Sequence, residues 1–264
     1  MPGSFSDYAE KKILDHIFGG AQFAVPSLHL GYFITDASEE GPGTEPVGSG
    51  YERIAVDPSY WLASTTQMVQ NTKDIICQRT TGYHGDVVGV GLFDSSVGGN
   101  FLCYFPAESS VLVEERDSLV ILNGGLVHQF SPGGFSNYLK NAVLNHFYKS
   151  IPLPIFPTLF IGYMSTAPSD AAPGAEPSGG GYIRQAIANN SVNFSATGGG
   201  IKKTATTVQF PIASAPQGEA AHLGFWSAVS GGQFLSYGAL NPSRSIDISD
   251  QLIFLAGDIK VTLD

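Results

Sequence analysis

The six histidines of this 264-residue chain are the first residues to test for acid–base or metal chemistry. His16 and His146 each close a helical pattern. There an imidazole can ligate, exchange a proton, oppose the helix dipole or simply pack, and the last two roles are the expectation. His128 falls on the inward face of a strand, which predicts a buried, hydrogen-bonded ring. His29, His84 and His222 have no histidine counterpart in the repeat described below. No His-Glu-x-x-His or His-x-His spacing occurs, so no zinc site is expected. Among the charged residues, Glu45 and Arg53 form the best pair, either as a base beside an arginine clamp or as an ion pair tying a Pro/Gly loop to the strand after it. The same pair recurs as Glu176 and Arg184, and this favours the structural reading.

Other motifs point the same way. Asp36, Glu39 and Glu40 could attract calcium, but they lack the twelve-residue loop spacing and read as a solvated acidic loop. A Gly-x-Ser-x-Gly elbow and a P-loop are absent from the sequence, and Gly48-Ser49-Gly50 and Gly198-Gly199-Gly200 read as loops with no phosphate-binding helix after them. Cys77 and Cys103 align with Val208 and Ser236, so they are expected as buried thiols in a reducing cytosol and not as nucleophiles. Trp61 aligns with Phe194 and Trp226 with Phe93, the pattern of a core. The expected catalytic, cofactor-binding and metal-ligating sets are therefore all empty.

These residues are arranged by a duplication. Phe5-Ser6-Asp7-Tyr8 corresponds to Phe135-Ser136-Asn137-Tyr138, followed by Leu14/Leu144, His16/His146 and Gly31-Tyr32/Gly162-Tyr163. Glu45-Pro46-x-Gly48-x-Gly50-Tyr51-x-Arg53 corresponds to Glu176-Pro177-x-Gly179-x-Gly181-Tyr182-x-Arg184. Gly98-Gly99-Asn100-Phe101-Leu102 then corresponds to Gly231-Gly232-Gln233-Phe234-Leu235. The period is too long for a solenoid and long enough for a domain. Two domains are expected, 1–132 and 133–264, joined at Ser131-Pro132-Gly133-Gly134. The first copy holds 16 acidic and 6 basic residues and the second 7 of each, so the whole net charge of −10 lies on the first. That excess of acid argues against a nucleic-acid partner. Met1 to Lys12 does not read as a signal peptide, and the apolar stretch Ile151 to Met164 is broken by three prolines, so no membrane passage is expected.

Each copy opens with a helical stripe: Ala9, Ile13, Leu14, Ile17 and Phe18 after a Ser6 or Asp7 cap, and Leu139, Val143, Leu144 and Phe147 after Ser136. Gly19-Gly20 ends the first helix. Strands are expected over Leu28–Phe33, Tyr51–Val56, Gly89–Phe93 and Phe101–Phe105, with a reversal over Asp94–Asn100 where Gly98 and Gly99 supply positive φ. Alternation of Ile259, Val261 and Leu263 with Lys260, Thr262 and Asp264 marks a closing half-buried strand. The expected fold is mainly β: two tandem antiparallel β-sandwich domains of jelly-roll or Ig-like type, each preceded by a short α-helix.

The Phe-Ser-x-Tyr…Leu-x-His opening, Leu-x-x-Gly-Tyr, Glu-Pro-x-Gly-x-Gly-Tyr-x-Arg and Gly-Gly-x-Phe-Leu together resemble a family of tailed-bacteriophage virion proteins described as tail fibre proteins. The resemblance covers nearly the whole chain, once per copy. It implies a non-enzymatic structural component of the phage particle, a tail fibre, appendage or capsid decoration subunit, made in the host bacterial cytoplasm and residing in the virion. Its partners would be other virion proteins of tail, neck, baseplate or capsid, and copies of itself. A tandem pair can imitate two subunits, so a trimer would match six-fold geometry. The alternative is a receptor-binding module that takes host surface glycan on loop aromatics such as Tyr83.

Overall fold

A computed structural model describes residues 2–195 and 200–263; Gly198, Gly199 and Asp264, named above, lie outside the described residues. The chain forms two compact units, both mainly β with curled sheets. One comprises residues 1–10, 24–130 and 141–153, and the other residues 11–23, 131–140 and 154–264.

The first unit contains β1 (Pro2–Phe5), the start of α1 (Asp7–Ile17), β2 (His29–Phe33), β3 (Ile54–Ala55), β4 (Met68–Gln70), β5 (Ile75–Ile76), β6 (Gly85–Phe93), β7 (Phe101–Val113), β8 (Val120–Ile121) and β9 (Val127–Gln129). Seven strands join in the order β3-β2-β6-β7-β1-β9-β4, with β5 and β8 paired separately. The short strand β1 is central, antiparallel to β7 (Phe5 opposite Cys103) and parallel to β9 (Gly3 opposite His128). The sequence pattern does not show it, because four residues containing proline and glycine carry no readable alternation. The expected strand Tyr51–Val56 shrinks to Ile54–Ala55, since the Tyr51 N–H closes a turn on the Gly48 carbonyl.

In the second unit, the end of α1 and the start of α2 (Asn137–Lys149) accompany β10 (Thr158–Met164), β11 (Gln185–Ala188), β12 (Ile201–Lys203), β13 (Val208–Gln209), β14 (Gly218–Trp226), β15 (Phe234–Ile246), β16 (Ile253–Phe254) and β17 (Lys260–Thr262). These follow β2 to β9 in order, but the sheet is divided: β11-β10-β14-β15 is one piece, β12-β17 another and β13-β16 a third. The pairing of β13 with β16 makes Phe210 the equivalent of Cys77, since the Cys77 and Phe210 N–H groups bond the equivalent carbonyls of Leu119 and Leu252. This corrects the alignment of Cys77 with Val208.

Both helices begin alike. The Ser6 hydroxyl donates to the Phe101 carbonyl at 2.6 Å and accepts from the Ala9 N–H at 3.3 Å; Ser136 repeats this with Phe234 and Leu139 at the same two distances. Each helix then changes unit. Residues 141–153, from the second sequence copy, supply Phe147 and Tyr148 to the first unit, where Phe147 lies 4.8 Å from Phe5 and Tyr148 lies 4.5 Å from Trp61 (ring centroids). Residues 11–23 of the first copy supply Phe18 to the second unit, 5.1 Å from Phe225 and 6.1 Å from Phe194. All of these aromatic side chains are buried. The core of each unit is thus completed by the other copy's helix.

Candidate functional site: a duplicated carboxylate–arginine staple

The charged pair singled out in the sequence is assembled twice. In the first unit the Arg53 Nε and Nη2 groups donate to the two oxygens of Glu45 at 2.8 and 2.6 Å. Nη1 donates to the carbonyls of Ser95 (3.1 Å) and Gly98 (2.6 Å), and the guanidinium lies 3.3 Å above the Phe93 ring centre. A bidentate fork stacked on an aromatic face suits arginine and no other side chain. In the second unit Arg184 grips Glu176, holds the Ala228 and Gly231 carbonyls at 2.8 Å each, and lies 4.1 Å from the centre of the Trp226 ring.

Tyrosine completes each staple. The Tyr51 hydroxyl donates to Glu45 and the Tyr182 hydroxyl to Glu176. Burial alone would raise the Glu45 carboxyl, but hydrogen bonds from Arg53 and Tyr51 outweigh it and hold the pKa below the ordinary value. Burial, then the bond to Glu45, raises the Tyr51 phenol, and Tyr182 is raised in the same way. An ionised carboxylate already accepting three donors has little capacity left to take a substrate proton. The cavity beside it, of about 480 Å³, is lined by Glu45, Tyr51, Glu52, Arg53, Ser96, Val97 and Gly98.

The Leu-x-x-Gly-Tyr motif follows from this geometry. A Cβ on Gly31 would stand 2.5 Å from Glu45 Oε1 and 2.6 Å from the Tyr51 hydroxyl, and one on Gly162 would meet Tyr182 and Glu176. The staple lies directly on the strand, so only glycine fits beneath it.

Next to the staple, His84 Nδ1 accepts from the Tyr32 hydroxyl at 2.6 Å while Nε2–H donates to the Ser49 carbonyl at 3.0 Å. In the second unit Gln217 takes the same place: its Oε1 accepts from Tyr163, and its Nε2 donates to the Gly180 carbonyl at 2.6 Å. Residue identity hides this equivalence, because His84 has no histidine counterpart and a glutamine supplies the same acceptor and donor.

The remaining candidates are also built into structure. His16 accepts from the Phe23 N–H at 3.0 Å through Nδ1 and donates to the Pro154 carbonyl at 3.1 Å through Nε2, so of its expected roles it packs as a neutral ring and does not oppose the dipole as a cation. His128 is buried, 2.7 Å from the Tyr148 hydroxyl, and burial pushes its pKa down to about 3. Cys103 joins the same hydroxyl at 3.4 Å. Cys77 and Cys103 are buried and form no disulfide, and burial pushes both thiols up to about 12. Trp61 and Trp226 are core residues, while Tyr83 is 66% exposed. Among the described residues, no three His, Cys, Asp or Glu side chains converge as a metal site, and no helix is long and apolar enough to cross a membrane.

The motifs explained by this staple recur where a family model recurs. No curated protein matches the chain. The family model described as podophage GP4 fiber I protein gp80 matches residues 4–129 and again 134–262. The chain therefore belongs to that phage fibre family, carrying its domain twice in tandem.

Proposed function

We propose that this protein is a non-enzymatic structural subunit of the tail fibre or a related appendage, acting through protein–protein surfaces. Membership of a phage fibre family makes it a structural component of the virion. The observation that carries the finer reading is the duplicated staple: the chemically strongest residues of both copies are spent on fixing loops to strands. The two sequence copies differ in charge, with the acidic excess confined to the first, so the copies are suited to different neighbours. Copies of the chain associate as a symmetric homo-oligomer, with a trimer giving six homologous domains of two alternating kinds. Synthesis in the host cytoplasm suits the two buried thiols.

The test is mass spectrometry of purified particles, combined with native mass measurement of the isolated protein. The expected result is stoichiometric peptides from this chain in intact particles and a homo-oligomer in solution. Its absence from particles would overturn the reading, and a monomer in solution would remove the oligomer.

A further inference from the structure

The second unit contains a gap where the first contains a strand. In the first unit β1 lies between β7 and β9, so one sheet runs continuously across all three. In the second unit Gly134 and Phe135 make the equivalent contact with β15: the Tyr237 N–H donates to the Gly134 carbonyl at 2.8 Å, and Phe135 bridges Ser236. The counterparts of Pro2 and Gly3, which pair β9 in the first unit, do not pair with β17. The chain turns away through Gly133 (φ 105°) and Gly134 (φ 71°). The Gly133 N–H is held by the Asp170 carboxylate at 3.0 Å, and Asp170 is itself fixed by buried Lys140 at 2.6 Å and the Tyr237 hydroxyl at 2.5 Å.

What remains is a cavity of about 310 Å³ bounded by Gly134, residues 236–240 of β15 and residues 258–262 at β17. Both walls present backbone to it. Strand alternation turns the polar groups of Ala239 to the same edge as Tyr237. On β17, Ile259 and Leu263 bond toward β12, which turns Lys260 and Thr262 toward the cavity. Among the described residues no strand pairs that edge of β17. Ser236 also lines the cavity, and its buried hydroxyl has no hydrogen-bond partner among the described residues.

We propose that this slot receives a short extended segment from a neighbouring virion subunit, added as a strand antiparallel to β15 and parallel to β17, as β1 is to β7 and β9. The first unit supplies the precedent for orientation and for length, about the two residues that the second unit leaves unpaired. Recognition is by backbone hydrogen bonds, the mode of strand addition. In the first unit the Phe105 ring presses against Gly3, and a Cβ there would stand 2.4 Å from it. The equivalent of Phe105 in the second unit is Gly238, which has no ring to press, so the second slot admits a side chain that the first excludes. The proposal rests on the virion-subunit reading above.

Hydrogen exchange on the full chain, free and within purified particles, tests it. Segments 238–240 and 260–262 are expected to exchange at least about tenfold more slowly in particles. Unchanged exchange there, with other segments of the chain protected, overturns the slot and leaves the virion role standing. Absence of the chain from particles removes both. Thr262→Pro, which deletes a slot-facing N–H of β17, is expected to cut incorporation into particles about tenfold at an unchanged Tm; normal incorporation of this variant overturns the proposal. If the variant does not fold, the exchange comparison decides.

Discussion

His84 and Gln217 are interchangeable in hydrogen bonding: each accepts a tyrosine hydroxyl and donates to the carbonyl of a glycine-rich loop. His84→Gln is therefore expected to be nearly neutral, with Tm unchanged within about 2 °C. His84→Leu should cost about 1–3 kcal/mol by stranding the Tyr32 hydroxyl and the Ser49 carbonyl. Thermal denaturation of the two variants distinguishes them, and equal losses would assign the ring a role beyond those two bonds.

The staple gives a second expectation. Arg53→Ala removes a half-buried carboxylate's partner together with the anchor of the Asp94–Asn100 turn, and should cost about 3–5 kcal/mol. Arg53→Lys should recover only part of this, because an ammonium cannot form the fork. A double-mutant cycle of Glu45→Gln and Arg53→Ala should return a coupling of about 1–3 kcal/mol in urea unfolding; additivity would dissolve the pair.

The third concerns pH. The His128 pKa is pushed below its ordinary value to about 3, so between pH 6.5 and 3 the unfolded chain binds a proton that the folded chain refuses. Stability accordingly falls with acidification across that window, by up to about 1.4 kcal/mol per pH unit from this residue. Glu45, whose pKa is depressed in the fold, adds a loss of the same sign as pH falls through its folded value. The pair His128→Val with Tyr148→Phe installs the residues of the equivalent positions, Val261 and Phe18, and should flatten the first loss only. Comparison of Tm against pH for the two proteins measures the difference. Each single substitution strands a partner and should be worse than the double.

The fourth follows from the shared helices. Phe18→Ala, a change in the first sequence copy, should cost about 3–5 kcal/mol and raise amide exchange in β14 of the second unit. Phe147→Ala should raise it at β1 and β9 of the first unit. Deprotection confined to the copy that carries the substitution would contradict the exchange.

Much of this architecture could be read from the residues. The Glu–Arg pair, the glycine reversal at Gly98-Gly99 and the inward His128 each depend on local spacing, and local spacing survives in sequence. Membership of each helix in the opposite unit could not be read, because an apolar stripe such as Ile13-Ile17-Phe18 specifies that a face is covered and not by which sheet. The keystone β1 was hidden by its brevity. The staple's tyrosines are visible as motif letters, but their role depends on Gly31 and Gly162 lying under the carboxylate, a relation across the sheet that no linear pattern records.

Reciprocal helix exchange bears on how such a gene can change. Recombination between tandem repeats tends to delete one of them, and here the shortened product would keep a sheet but lose the sister helix that fills it. Its natural rescue is a pair of shortened chains trading helices, so loss of a repeat would surface as a dimer of half-length proteins and not as a smaller monomer. The duplication is in that sense reversible without loss of the fold, provided that two products meet.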